Sequence, residues 1–109
     1  MPTYDVIILP SAERDISRNV DYIFYDKHSP ETASQLLAGF RKKIQSLDYM
    51  PERYELDEDD DLSARGIRKC YFKNYKIFFY VEKRVHQVYI LRVLHMLVDA
   101  TPLLLDLDF

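Results

Sequence analysis

The chain has 109 residues, of which 48% are hydrophobic, 30% charged and 14% aromatic, with a formal net charge of -3. A domain of this length buries roughly two-thirds of its unfolded surface, so it builds a core without staples. The only glycines are Gly39 and Gly66 and the only cysteine is Cys70. These scarcities exclude glycine-rich phosphate loops, the G-x-S-x-G elbow, an internal disulfide and any zinc site needing two thiolates.

Tyr4 to Leu9 is β-branched and apolar and ends at Pro10, which reads as a buried strand. Ser11 is the expected cap of the helix that follows, with Glu13 and Asp15 suited to the dipole of its first turn. Ala12, Ile16, Val20 and Ile23 recur at helical spacing, and fraying is expected near Asp26-Lys27-His28. Ser29-Pro30-Glu31 restarts a helix whose apolar stripe is Ala33, Leu36, Leu37, Phe40, Ile44 and Leu47. Met50-Pro51 stops it, and the two helices should form an antiparallel hairpin.

Residues 52–66 lose all periodicity and form an acidic loop closed by Gly66. Ile67 to Phe72, Tyr75 to Glu82 and Val85 to Leu94 then read as three strands joined by short polar turns. The tail, residues 100–109, carries Leu103, Leu104, Leu105, Leu107 and Phe109. It either packs back on the sheet as a strand or turn or forms an exposed interface for a partner or a second copy. The order β-α-α-β-β-β predicts one two-layer α+β domain over residues 1–109, a helical hairpin packed on an antiparallel sheet. No apolar run reaches the ~20 residues of a membrane span. With one thiol and no signal-type N-terminus, a cytoplasmic location away from membranes is expected.

This order, with particular phrases in it, resembles the RelE/ParE superfamily of toxins from type II toxin–antitoxin systems. The resemblance covers residues 4–99. It lies in Pro10-Ser11-Ala12-Glu13-Arg14-Asp15-Ile16, Asp21-Tyr22-Ile23 and the Ser29-Pro30 … Ala33 helix start. It continues in Ser46-Leu47 … Met50-Pro51-Glu52-Arg53, Gly66-Ile67-Arg68-Lys69 and Asn74-Tyr75-Lys76-Ile77. The closing phrase Ile90-Leu91-Arg92-Val93-Leu94-His95 looks more like the ParE branch. The resemblance implies a toxin of plasmid-stabilisation type, held inactive by a cognate antitoxin that wraps it. ParE-like members poison DNA gyrase by binding; RelE-like members cut messenger RNA on the ribosome without a metal. It also implies no cofactor, and leaves open a homodimer, a toxin–antitoxin hetero-oligomer or a non-toxic antitoxin-binding module.

A metal-independent nuclease needs a group to help deprotonate a 2′-hydroxyl, a cation for the phosphate and an acid for the leaving oxygen. If this chain is such an enzyme, the candidates are Arg68, Lys76 and His95. Lys76 stands where RelE-like nucleases carry a functional arginine, and a lysine offers a point charge instead of a fork. If it acts by binding, Lys69, Lys73 and Arg92 are the candidate target contacts. Each also has a plain structural role: Arg92 can pair with a carboxylate, and Lys69, Lys73 and Lys83 can be solvated edge lysines. Strand alternation sets Arg92 and His95 on opposite faces unless a bulge lies between them. Tyr71, Tyr75, Tyr80 and Tyr89 fit either base stacking or cross-strand packing. No metal is assigned, since His28 and His86 have no partner at ligand spacing.

Charge is sharply segregated along the chain. Residues 51–66 hold seven acids against Arg53 and Arg65. Residues 67–95 hold Arg68, Lys69, Lys73, Lys76, Lys83, Arg84 and Arg92 against Glu82 alone. The run Asp57 to Asp61, and Met96-Leu97-Val98 where ParE-like chains often carry another arginine, depart from the family pattern. On sequence alone the meander is a basic surface beside an acidic loop.

Overall fold

The computed structural model describes residues 3–107. β1 (Asp5–Ile8) leads into α1 (Pro10–Asp21), and α2 (Pro30–Gln45) folds back beside it. The first helix continues as a π-helical turn, Tyr22–Asp26, with the Lys27 N–H donating to the Tyr22 carbonyl at 3.2 Å, and helical structure then stops at Lys27-His28 as expected. The acidic segment is not wholly irregular. It carries α3 (Asp60–Ala64), because the Asp59 carboxylate accepts from the Asp61 and Leu62 N–H groups at the helix start. Then come β2 (Ile67–Phe72), β3 (Tyr75–Glu82), β4 (Gln87–His95) and α4 (Thr101–Leu105).

The sheet order is β1-β4-β3-β2. The meander is antiparallel as expected, and β1 adds a parallel edge against β4, so the sheet is mixed. A parallel neighbour requires a long connection, which the intervening chain supplies. Phe78 opposes Arg92 while Phe79 opposes Ile90, so Leu91 is an extra residue in β4. The bulge precedes Arg92, so Arg92 and His95 keep their opposite faces.

Each sheet face has its own core. On one, Ala12, Ile16, Leu36, Phe40, Ile44 and Leu47 pack on Cys70, Ile77, Phe79, Val88, Ile90 and Val93. Gly39 lets α2 approach closely there, since a Cβ would overlap the tip of the Phe72 ring. On the other face, Leu62 of α3 and Leu104 of α4 join Ile67, Phe78, Leu91 and Leu94. The tail therefore packs back on the sheet, as a helical turn instead of a strand. Asp108 and Phe109 lie outside the described residues.

Candidate functional site

Beyond Ile8 the β4 strand loses its parallel neighbour, and the first turns of α1 take over that edge. The Leu9 N–H donates to the Ile90 carbonyl at 3.0 Å, and the Ser11 hydroxyl to the Leu91 carbonyl at 2.7 Å. Ser11 is thus not the helix cap; Leu9 is, and Pro10, whose missing N–H costs nothing at a first turn, begins the helix two residues earlier than expected. Asp15 continues the pattern, accepting the Val93 N–H at 2.9 Å. Arg92 Nε and Nη2 donate to the two oxygens of that same carboxylate at 2.7 and 2.8 Å. The Asp15 side chain is 3% exposed and that of Arg92 15%. Of the roles open to Arg92 in sequence, carboxylate pairing is the one the geometry displays. By sequence Asp15 reads as a partner of the helix dipole. Its position three residues after Ala12 and next to Ile16 was the available signal, for it places Asp15 on the apolar stripe.

The acidic segment folds onto the meander. Leu56 bridges to Arg68, and the Asp57 N–H donates to the Ile67 carbonyl at 2.9 Å, which lays the segment along the outer edge of β2. Arg68 donates to the Tyr54 carbonyl at 2.6 Å and lies 3.7 Å from Glu52. Glu52 also takes Lys83 at 3.0 Å, and Glu82 takes Arg84 at 2.7 Å. Lys69 Nζ lies 3.3 Å from Asp57 and 2.7 Å from Glu58. Burial works against the charge on Lys69, but the hydrogen bond to Glu58 and the attraction of Asp57 outweigh it, so its pKa is raised. The same hydrogen bond lowers that of Glu58. Of the seven meander cations, only Lys73 and Lys76 have no carboxylate partner among the described residues. Lys69 and Lys76 line one cleft of about 310 Å³ with four carboxylates, Asp57, Glu58, Asp59 and Asp99.

The fold does not bring Arg68, Lys76 and His95 together. Arg68 opposes Phe79 and His95 opposes Tyr75, which puts both on the sheet face beneath the helical hairpin, four positions apart along β3. Lys76 alternates with Ile77 and lies on the other face with Phe78. The His95 ring packs edge-on against Tyr75 at 5.7 Å, and its Nδ1 accepts the Leu97 N–H at 3.2 Å. Lys73 projects from the β2–β3 turn, where its φ of 51° is left-handed. The tyrosines do not form a platform. Tyr75 packs edge-on against Phe40 at 4.9 Å, Tyr80 donates to Glu82 and Tyr89 to Gln87, while Tyr71 is exposed. Among the described residues no cluster of His, Cys, Asp and Glu is arranged to hold a metal.

The family described as "ParE toxin of type II toxin-antitoxin system, parDE" matches this chain over residues 6–99. The chain belongs to the ParE toxin family. No curated protein matches the sequence at a significant level. Among solved structures, a chain of the toxin–antitoxin complex RelBE2 from Mycobacterium tuberculosis is 21% identical with a TM-score of 0.65. The match covers 87% of this chain and 93% of that one. A chain of the chromosomal ParDE toxin–antitoxin system from P. aeruginosa is 16% identical with a TM-score of 0.68, over 85% and 96% of the two chains. At these identities the likeness is one of fold. This ParE-family chain has the α+β architecture of both, and no helix among its described residues is long and apolar enough to cross a membrane.

Proposed function

We propose that this chain is a growth-inhibiting toxin that acts by binding DNA gyrase, and that a cognate antitoxin neutralises it. The observation that carries the reading is the family match over residues 6–99. The separation of Arg68, Lys76 and His95 across two sheet faces supports a binding mode over a cleavage site. In this reading the target meets the end of the sheet where Lys73 and Lys76 form no ion pair among the described residues. Met96, Leu97 and Val98 are exposed there, and the Met96 N–H bonded to the Asn74 carbonyl holds them against the β2–β3 turn. Lys69 flanks that surface, and Arg92 supports it by fixing β4 to α1.

Purified gyrase challenged with the protein should lose supercoiling activity and accumulate trapped DNA cleavage. Unchanged supercoiling without trapped cleavage overturns the gyrase assignment. New cuts in translated messages after induction, lost in His95→Ala and Lys76→Ala, would replace it with an endoribonuclease. Normal growth on strong expression of the folded chain without its partner would remove the toxin reading and leave a non-toxic antitoxin-binding module.

A further inference from the structure

The turn after β4 presents apolar side chains on a fixed backbone. Leu97 is 87% exposed, the most exposed large apolar side chain among the described residues, with Met96 and Val98 exposed on either side of it. A leucine on a mobile turn can fold down against its neighbours, but here each of the three backbone N–H groups is bonded. The Met96 N–H donates to the Asn74 carbonyl at 2.8 Å and the Val98 N–H to the His95 carbonyl at 3.0 Å. The Leu97 N–H donates to His95 Nδ1 at 3.2 Å. His95 thus supplies two of the three acceptors, and because Nδ1 accepts, its ring proton sits on Nε2. The ring itself packs edge-on against Tyr75. The backbone that carries Leu97 is therefore ordered before any partner arrives, which lowers the entropic cost of using that side chain as an anchor.

We infer that Leu97 is the anchor by which this chain engages its target, entering an apolar pocket of the target protein, and that His95 is the positioning residue that sets it. The inference rests on the binding mode proposed above and names the chemistry of its contact. The surroundings of the turn favour a protein pocket over other apolar hosts. Val98 and Asp99 share a cleft with Lys76 in which four carboxylates outnumber two lysines, and that excess repels both DNA and an anionic bilayer. Three apolar residues of one turn also fall short of the amphipathic helix face that lies in a membrane. In this role His95 transfers no proton. What it contributes is the Nδ1 lone pair, which holds the Leu97 N–H and so fixes the direction in which the leucine is presented.

The test compares inhibition of purified gyrase with growth arrest on induced expression at matched protein levels, using the full chain. Leu97→Ser should raise the half-inhibitory concentration for gyrase about tenfold or more, the equivalent of one leucine left unburied. Two substitutions separate what the His95 side chain does. His95→Phe keeps an aromatic ring for Tyr75 and has no acceptor, whereas His95→Asn gives up the ring and keeps an acceptor that reaches the N–H two residues on. His95→Phe should weaken inhibition about three- to tenfold and speed hydrogen exchange of the Leu97 amide, while His95→Asn should stay near the unaltered chain in both. Full inhibition by Leu97→Ser, equal inhibition by the two His95 variants, or inhibition kept in His95→Phe and lost in His95→Asn overturns the proposal. Self-association of the unaltered chain that Leu97→Ser abolishes makes a second copy the host and overturns it as well. Growth arrest that follows the expected pattern while gyrase is untouched removes the gyrase assignment alone. An unaltered chain that affects neither growth nor gyrase overturns both. Far-ultraviolet dichroism and melting of each variant confirm that folded proteins are compared.

Discussion

Asp15 and Arg92, 77 positions apart in the chain, meet in a two-pronged ion pair that also seals the exposed edge of β4. One carboxylate serves a guanidinium and the Val93 N–H together, so its removal strands a largely buried cation and an unpaired backbone donor. Asp15→Ala is expected to lower unfolding free energy by about 3–5 kcal/mol, the range for breaking one side of a buried pair. Asp15→Asn keeps an oxygen for Val93 and should cost less. Urea denaturation of the two variants and of Arg92→Ala checks this, and a double-mutant cycle gives the coupling. Unshifted midpoints would mean that the pair is a surface ornament, contrary to its burial.

The C-terminal segment is a structural part of the second core. Leu104 is fully buried against Leu62, Ile67, Phe78, Leu91 and Leu94. Leu104→Ala should therefore cost about 2–5 kcal/mol by lost transfer energy and the cavity left behind. Thermal or urea unfolding measures it. A loss below about 0.5 kcal/mol, typical of surface positions, would show that α4 does not hold to the sheet in solution.

Cys70 is an inert thiol. It is buried between β2 and the helical hairpin, and that burial pushes its pKa up to about 11 from an ordinary 9.0. Iodoacetamide at pH 8 should leave the native chain unmodified and label it fully in denaturant. The unfolded thiol ionises near its ordinary value while the folded one stays neutral to about 11. Stability should accordingly fall as pH rises through that interval, and Cys70→Ala should remove this component of the alkaline slope. Rapid native labelling at pH 8 would contradict the burial.

Elements were legible where local chemistry and burial agree. The Ser29-Pro30-Glu31 start, the stripe from Ala33 to Leu47 and the three meander strands all appear, with β4 moved slightly to Gln87–His95. A polar residue serving a remote partner was harder to read. Ser11 and Asp15 have the composition of a helix start, and nothing local reveals that their acceptor and donors lie on β4. The π-helical turn at Tyr22–Asp26 and the helical turn inside the acidic segment carry only weak local signals, so both escaped a reading by periodicity.

Charge shows most clearly what each level decides. The sequence determined that seven acids precede seven cations, and that the cations lie on strands. Only the tertiary structure decided that three of these acids, Glu52, Asp57 and Glu58, partner three of the cations, Arg68, Lys69 and Lys83. Leu56 pairs with the edge of β2, and from that register Asp57 and Glu58 fall against Lys69, while Glu52 falls against Arg68 and Lys83. What the chain order presents as a basic face beside an acidic loop is, in the folded protein, largely self-neutralised. Coulomb attraction depends on distance in space, and residues 52–58 gain that proximity through a backbone bridge that no count along the chain contains.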